Sequence, residues 1–493
     1  MRYFNIKEIK MSENNSSATL KRLPTENKMG TMPVNKLLIS MALPMVISML
    51  VQALYNIIDS LYVARISPEQ NELTAISLAF AAQNFMIAVA TGTGVGINAL
   101  LSKSLGEKDH KTANKIASNG VFLALCSYIV FLLLGFTFMD TYMRWMTGIE
   151  EVIVAGVDYL SICYIFSFGI FGEIVMERLM ISTGKTHLAM ITQGVGAIIN
   201  IVLDPIFIFK SFDLGFIHIE GFGFGIAGAA IATVMGQIAA FIVAILLNTF
   251  CNKDIKLSIK GFIPSRKIIG KIYAIGIPSI VMASIGSVMN ILLNGILNGF
   301  TEVVEGTKQT IGQIAQTSFG VYFKIQSFIF MPIFGLNNGI VPIVAYNYGA
   351  QKKKRMMRTV KLGCIYAVSY MALGFAVFQI FPEALLSLFN MTDPTVLRIA
   401  VPCLKIISIA FVFAGVCIIL GSVFQALGKS LYSMFVSIAR QLVVLIPAAY
   451  ILASFGDAAL VWWSFPIAEI ASVIASVVFF AIVYKKIIAK IPE

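Results

Sequence analysis

Long apolar stretches alternate with short polar ones along almost the whole chain. Twelve stretches are long enough to cross a bilayer core, which takes about 20 apolar residues per helix. Their limits fall near 36–65, 73–102, 116–140, 153–181, 187–209, 224–250, 270–300, 309–346, 359–382, 396–426, 430–454 and 459–484. The pattern predicts an all-α integral membrane protein of twelve transmembrane helices, because a helix satisfies its own backbone in lipid. The eighth run is long and holds Pro332, Gly335, Gly339 and Pro342, which predicts a kink there. Gly92-Thr93-Gly94-Val95-Gly96, within the second run, fits no dinucleotide fingerprint and reads as a site of close helix packing.

Composition excludes the soluble alternatives. Of 493 residues, 58% are hydrophobic and 13% charged, against about 25% charged in ordinary globular chains. Mean hydropathy is +0.85. A soluble enzyme, a disordered chain and a disulfide scaffold are ruled out. The six cysteines form no CxxC pair and are expected to be small buried hydrophobes. His110, His187 and His218 stand at or near segment ends, which argues against a histidine metal site.

The net charge of +12 needs no nucleic-acid partner, because the position of the charges explains it. With the N-terminus inside, 29 of the 37 Lys and Arg residues fall in cytoplasmic segments, densest at Lys253 to Lys271 and Lys352 to Lys361. Five fall outside: Arg65, Arg144, Lys210, Lys308 and Arg398. Both termini are therefore expected in the cytoplasm. Residues 1–35 are polar with no apolar signal core, and are expected to be a cytoplasmic tail rather than a cleaved leader.

The two halves of the chain resemble each other. Pro44 heads the first span and Pro278 the seventh, and twelve residues after each comes an asparagine, Asn56 and Asn290. Gly106-Glu107-Lys108 corresponds to Gly349-Ala350-Gln351, and Gly184-Lys185 to Gly428-Lys429. The offsets are 234, 243 and 244 residues. Six spans per repeat give both halves the same orientation, so they should form two bundles related by a pseudo-twofold axis along the membrane normal, with a cavity between them. The expected divisions are a tail at 1–35, an N-lobe at 36–250, a linker at 251–270 and a C-lobe at 271–493.

A charge inside the bilayer costs about 2.5–3.5 kcal/mol on insertion scales, so each one demands a reason. The first half holds Asp59, Glu173, Glu177 and Asp204; the second holds Lys324, Lys405, Arg440 and Glu469. Asp59 and Asp204 each lie six residues before a basic residue at a span end, so they should share one depth. Asn200 is one helical turn from Asp204, on the same face. Neighbouring carboxylates in low dielectric favour proton uptake; with an amide and a hydroxyl they instead offer Na⁺ an all-oxygen site. The plainer alternative is a carboxylate that caps a helix broken at Pro205. Glu173 is expected to contact substrate or pair with a base. Glu177 and Arg178 are expected to be an interfacial pair. Lys324, Lys405 and Arg440 are expected to pair with Glu469 or with backbone carbonyls.

These features resemble the multidrug and toxic compound extrusion (MATE) family. The residues that carry the resemblance are Pro44 to Gln52 with Tyr55, Asn56 and Asp59; Asn200 to Phe207; and Gly228 to Thr233. The resemblance implies a secondary antiporter that exports organic cations or amphiphilic drugs in exchange for H⁺ or Na⁺. It implies a cation site at Asp59, Asn200, Asp204 and Thr233, which is also where Na⁺ would bind; a cavity lined by Gln52, Tyr55, Asn56 and Glu173; and a hinge at Pro44. The seventh and tenth spans contain no Asp or Glu, so the acidic second-lobe site of another branch is missing and the chain is closer to the DinF-like branch. The expectations that go with it are a multi-pass protein of the plasma (inner) membrane, a monomer, no enzymatic activity, no nucleic-acid partner and no cofactor beyond the coupling ion. A lipid-linked saccharide flippase of the same superfamily is the alternative.

Overall fold

A computed structural model describes residues 26–63, 71–214, 217–257, 262–304 and 309–492. A four-residue helix, α1 (Lys28–Thr31), leads into the first span, α2 (Val34–Val63). The second and third spans are α3 (Asn71–Gly106) and α4 (His110–Thr137). The short α5 (Met139–Met146) turns the chain into the fourth span, α6 (Glu150–Ile165) and α7 (Phe168–Ser182). The fifth span α8 (Thr186–Ile208) and the sixth, α9 (Gly225–Cys251), are joined by an antiparallel hairpin of β1 (Ser211–Leu214) and β2 (Ile217–Glu220).

The second half repeats the plan. Spans seven to nine are α10 (Arg266–Leu297), α11 (Ile311–Gly349) and α12 (Lys353–Ile380), followed by the short α13 (Pro382–Ser387). The tenth is α14 (Pro394–Ser408) with α15 (Ala410–Ala426). The eleventh is α16 (Ser430–Ile438), a π-helical stretch at Ala439–Leu445, and α17 (Ile446–Ala453). After α18 (Ala458–Val461), the twelfth is α19 (Ser464–Lys486). Among the described residues eleven helices are long and apolar enough to cross a membrane, and the bent α6–α7 pair makes the twelfth. Their outer faces expose Leu133, Phe136, Ile291 and Leu373, a surface suited to lipid. The protein is thus an all-α membrane fold of two six-helix bundles, with the hairpin a small addition that hydropathy did not reveal.

Three local features depart from uniform rods. The fourth span bends by 46° between α6 and α7. There the backbone bonds tighten to three-residue spacing, Ser167 to Tyr164 and Gly169 to Phe166. The tenth span tightens at the corresponding place, where Ile409 bonds Ile406. The eighth span runs unbroken for 39 residues through Pro332 and Pro342.

The repeated Gly-Lys pairs turn out to be helix stops. Gly184, at φ 84°, follows α7, and Gly428, at φ 71°, follows α15; both angles favour glycine. In each, the next residue donates five positions back, Lys185 to Met180 (2.9 Å) and Lys429 to Phe424 (2.7 Å), while the glycine itself bonds three back. This is a Schellman cap, which satisfies carbonyls the helix would leave unpaired.

The halves meet along a seam of backbone contacts. A Cβ on Gly92 would stand 2.9 Å from the Gly276 carbonyl oxygen, and one on Gly96 would collide with the Ile272 carbonyl. Both sit where α3 crosses α10. The symmetric crossing is α11 on α2, where a Cβ on Gly335 would lie 2.6 Å from Val46 Cα and one on Gly339 2.9 Å from Ala42 Cα. At the helix ends Gly106 abuts Tyr346 and Gly349 abuts Lys103. Close packing is thus what the glycine run in the second span provides.

Residues 26–32, expected within the tail, pack across this seam. Asn27 caps α1 by accepting from the Met29 N–H (3.0 Å), and its amide donates to the Thr183 carbonyl (3.0 Å). The Met29 carbonyl accepts from Asn347 (3.1 Å) and Arg355 (3.2 Å), and Lys352 pairs with Glu26. Met29 is fully buried. Residues 1–25 lie outside the described residues. The cysteine expectation holds for Cys163 and Cys403, which are buried, but not for Cys251, which is exposed where α9 ends.

The seam makes a direct prediction. Gly96→Leu forces a side chain into the Ile272 backbone and should cost about 1–3 kcal/mol, as overpacking does. It should appear as a lower melting temperature in detergent. Gly320→Ala, with nothing within 4 Å of the added carbon, should leave melting unchanged or raise it.

Candidate functional site

A cavity of about 780 Å³ lies between the two bundles. Its first-half wall comes from α2, α3, α7, α8 and α9, and its second-half wall from α10, α11, α15, the eleventh span and α19. Four charged side chains line it: Glu173, Glu177, Arg178 and Arg440. Gln52, Tyr55, Asn200 and Thr233 line it as well, so the structure brings most of the expected residues to one place. The Asn56 side chain lies outside the described residues. Pro44 lies inside α2, which continues through it as helix.

Neither Asp204 nor Asp59 lines the cavity, and Asp204 stands directly behind Asn200 on its wall. Asp204 is fully buried one turn beyond Asn200 on α8. The Asn200 amide donates to Asp204 Oδ1 (3.2 Å) and to Thr233 Oγ1 on α9 (3.4 Å), which binds the fifth span to the sixth. Asp59 lies within electrostatic range of Asp204, and the Tyr55 hydroxyl within range of Asp59, Glu173 and Asp204. Three acceptor oxygens in this cluster, Asp59 Oδ1, Asp204 Oδ2 and Asn200 Oδ1, are buried with no donor among the described residues. A buried acceptor left unpaired costs about 1–3 kcal/mol. A proton or a small cation placed among these oxygens would relieve that cost. Among the described residues no three His, Cys, Asp or Glu side chains are grouped as a metal site would need.

Glu177 and Arg178 are not an interfacial pair, as the sequence had suggested. They are 2% and 6% exposed and face the cavity. Arg178 donates across the seam to Asn338 on α11 (2.9 Å), and Gln193 stands beside Glu177. Hydropathy placed them at a span end because it cannot tell which way the bent fourth span points. The spacing of Glu177 from Glu173, four residues on, was the usable signal, since it puts the two carboxylates on one helix face; Arg178 lies on a different face, and its spacing gave no such signal.

The second-half charges separate. Arg440 pairs with Glu469 at 3.1 Å, one of the partners expected. Lys324 and Lys405 do not reach the cavity; both are exposed, with Lys324 5.9 Å from the Phe389 ring centroid. Arg440 lies in the π-helical stretch, an irregularity that sequence periodicity does not reveal.

The family model described as MatE matches residues 44–206 and 307–451, which together hold Asp59, Glu173, Asn200, Asp204 and Arg440. The chain belongs to the MatE family. Similar curated proteins include the "Multidrug export protein MepA" of Staphylococcus haemolyticus, 26% identical over 434 residues, 88% of this chain and 90% of that one. The protein of the same name from Staphylococcus aureus is 25% identical over 442 residues, covering 89% and 91%. Among solved structures, a MATE proline-to-alanine mutant superposes with a TM-score of 0.85 at 22% identity, covering 94% of this chain and 99% of that one. The "outward-facing conformation of a multidrug resistance MATE family transporter of the MOP superfamily" gives 0.84 at 22%, covering 95% and 99%. At these identities the structural likeness establishes the MATE fold, and the chemistry rests on this chain's own side chains.

The Asn200 amide is the described donor within the carboxylate cluster, which sets a test. Asn200→Ala should orphan Asp204 Oδ1 as well and lower stability by about 1–3 kcal/mol, read as a drop in melting temperature. Thr233→Ala removes only the longer contact and should cost less than half as much.

Proposed function

We propose that the chain is a secondary active multidrug efflux antiporter that exports organic cations or amphiphilic drugs in exchange for H⁺ or Na⁺. The observation that carries this reading is the set of three buried acceptor oxygens on Asp59, Asp204 and Asn200 that have no donor among the described residues, with Asn200 on the cavity wall and Asp204 next to it. Family membership and the printed names of the MepA relatives support the drug-export part. Asp59, Asn200, Asp204 and Thr233 hold the coupling ion. Gln52, Tyr55, Asn56 and Glu173 face the substrate. A proton is the simpler coupling ion, since two carboxylates and one amide accommodate it; Na⁺ would use the same oxygens.

The mechanism follows from the layering. Asn200 and Thr233 stand both on the cavity wall and against Asp204. Ion binding behind the wall therefore reshapes the surface that substrate touches. Linkage requires that each ligand weaken the other's binding by the same factor. The helices then bend near Pro44, and the lobes at 36–250 and 271–493 rock about the glycine seam. With both termini cytoplasmic and the protein a monomer in the plasma membrane, the closed end of the seam at Gly106 and Gly349 faces the cytoplasm. The saccharide-lipid alternative is less well served, because the two guanidiniums on the wall, Arg178 and Arg440, are matched by two carboxylates, Glu173 and Glu177, which leaves no net attraction for a phosphate head group.

Reconstituted protein provides the test. A pH gradient alone, then a Na⁺ gradient alone, is imposed on proteoliposomes containing a cationic dye. Wild type should move dye against ion flow under one gradient, which identifies the ion. Asp204→Asn, nearly isosteric, should lower that rate by about ten-fold or more. Dye movement that is equal in the mutant, or absent in wild type, would overturn the proposal.

A further inference from the structure

We propose that Arg440 is the docking point for a carboxylate, so that the cavity is built for zwitterionic amphiphiles, with a cationic group at one end and a carboxylate at the other. This rests on the drug-export reading and specifies its substrate class.

The charges on the cavity wall divide in a way that suits such a molecule. Glu177 is offset by the neighbouring Arg178. Glu173, four residues earlier, has no hydrogen-bond or ion-pair partner among the described residues. The first-half wall thus presents one uncompensated carboxylate. On the second-half wall the charged group is Arg440.

Arg440 is held from behind. Its Nη1 donates to Glu469 Oε2 (3.1 Å), and Glu469 does not line the cavity. The Arg440 side chain keeps 28% of its surface exposed and that of Glu469 only 7%. A guanidinium has five N–H donors in a planar fork that matches a carboxylate, and this pair uses one. Glu469 Oε1 has no donor among the described residues. A buried ion pair rarely outperforms apolar packing, so stability alone does not account for this one. A single bond leaves the outer face of the fork turned to the cavity. The π-helical register at Ala439–Leu445 displaces Arg440 and Gln441 from regular helix positions, and both line the cavity. Ser437 lines it on the same side and offers a neutral donor to a lone pair a carboxylate would have left over, whereas the Ser472 hydroxyl is already given to Cys417 Sγ (3.3 Å). The cationic group of the same molecule goes to Glu173.

Rhodamine B and its ethyl ester test this, since they differ only in whether the carboxylate is free. The variants are Arg440→Gln with Glu469→Gln, which removes the pair together and strands no buried charge, and Arg440→Lys, which keeps the charge but not the fork. Affinity is read by fluorescence anisotropy on purified full-length protein, and transport in proteoliposomes. The double variant should bind rhodamine B about ten-fold more weakly and the ester within about two-fold of wild type. Arg440→Lys should shift the ratio of the two affinities in the same direction by less; if the double variant does not fold, this ratio decides alone. Equal losses for both dyes, or none for either, would overturn the proposal. So would displacement of rhodamine B by a polyprenyl phosphate more readily than by the ester, which would give Arg440 to a lipid head group. If wild type binds and moves the ester but not rhodamine B, the zwitterion proposal fails and export stands. If it moves neither, export itself fails.

Discussion

The fold depends on backbone meeting backbone across the middle of the molecule. Gly92, Gly96 and Gly106 on the second span have counterparts 243 residues later in Gly335, Gly339 and Gly349. Each set lets a helix of one half lie directly on a helix of the other. In a membrane no hydrophobic force drives helices together, since lipid is as apolar as leucine, so close van der Waals contact has to do it. Glycine is the side chain that allows the approach. Because the two crossings are related by the repeat, the halves touch along two symmetric lines and leave a cavity between them.

That cavity places the polar groups in two layers. Asn200, Thr233, Tyr55 and Glu173 are on its wall, Asp204 is directly behind Asn200, and Asp59 does not line the cavity. Asn200 belongs to both layers, with its amide on Asp204 and Thr233 and its side chain on the wall. A side chain shared between two sites is a physical route for coupling that needs no long pathway, only a change in what the amide bonds to. Arg178 plays a related part between the halves, reaching Asn338 from the fourth span. Its bond and the contacts of Met29 at the seam's end both join the halves, so any motion that parts them must break polar contacts as well as glycine packing.

Much of this was legible in the chain. Hydropathy located the spans because lipid demands about 20 apolar residues whatever the fold. The repeated Gly-Lys pairs and tripeptides were visible because helix stops require particular backbone angles, here met by Gly184 and Gly428 and, without glycine, by Lys108 and Gln351. Asn200 and Asp204 were legible because one helical turn separates them. What hydropathy could not give was rotation about each helix axis and departures from regular helix. The bend between α6 and α7 contains no proline, so Glu177 and Arg178 looked interfacial when they are buried. The π-helical turn likewise hid the cavity position of Arg440 among the second-half basic residues, two of which, Lys324 and Lys405, face outward.

The repeat also separates scaffold from chemistry. Glycine seam, helix stops and the tightened turns of the fourth and tenth spans recur in both halves, since they satisfy backbone requirements that both bundles share. The ionisable groups do not recur. Where the first half sets a carboxylate behind an amide, the second sets a guanidinium in front of a carboxylate. A duplicated backbone with unlike charges on its two walls has a direction across the cavity that symmetry alone would cancel. That direction can orient a bound molecule end to end, and it leaves the layer proposed to bind the coupling ion on one side only. Rocking of two matched bundles can then be governed from a single lobe.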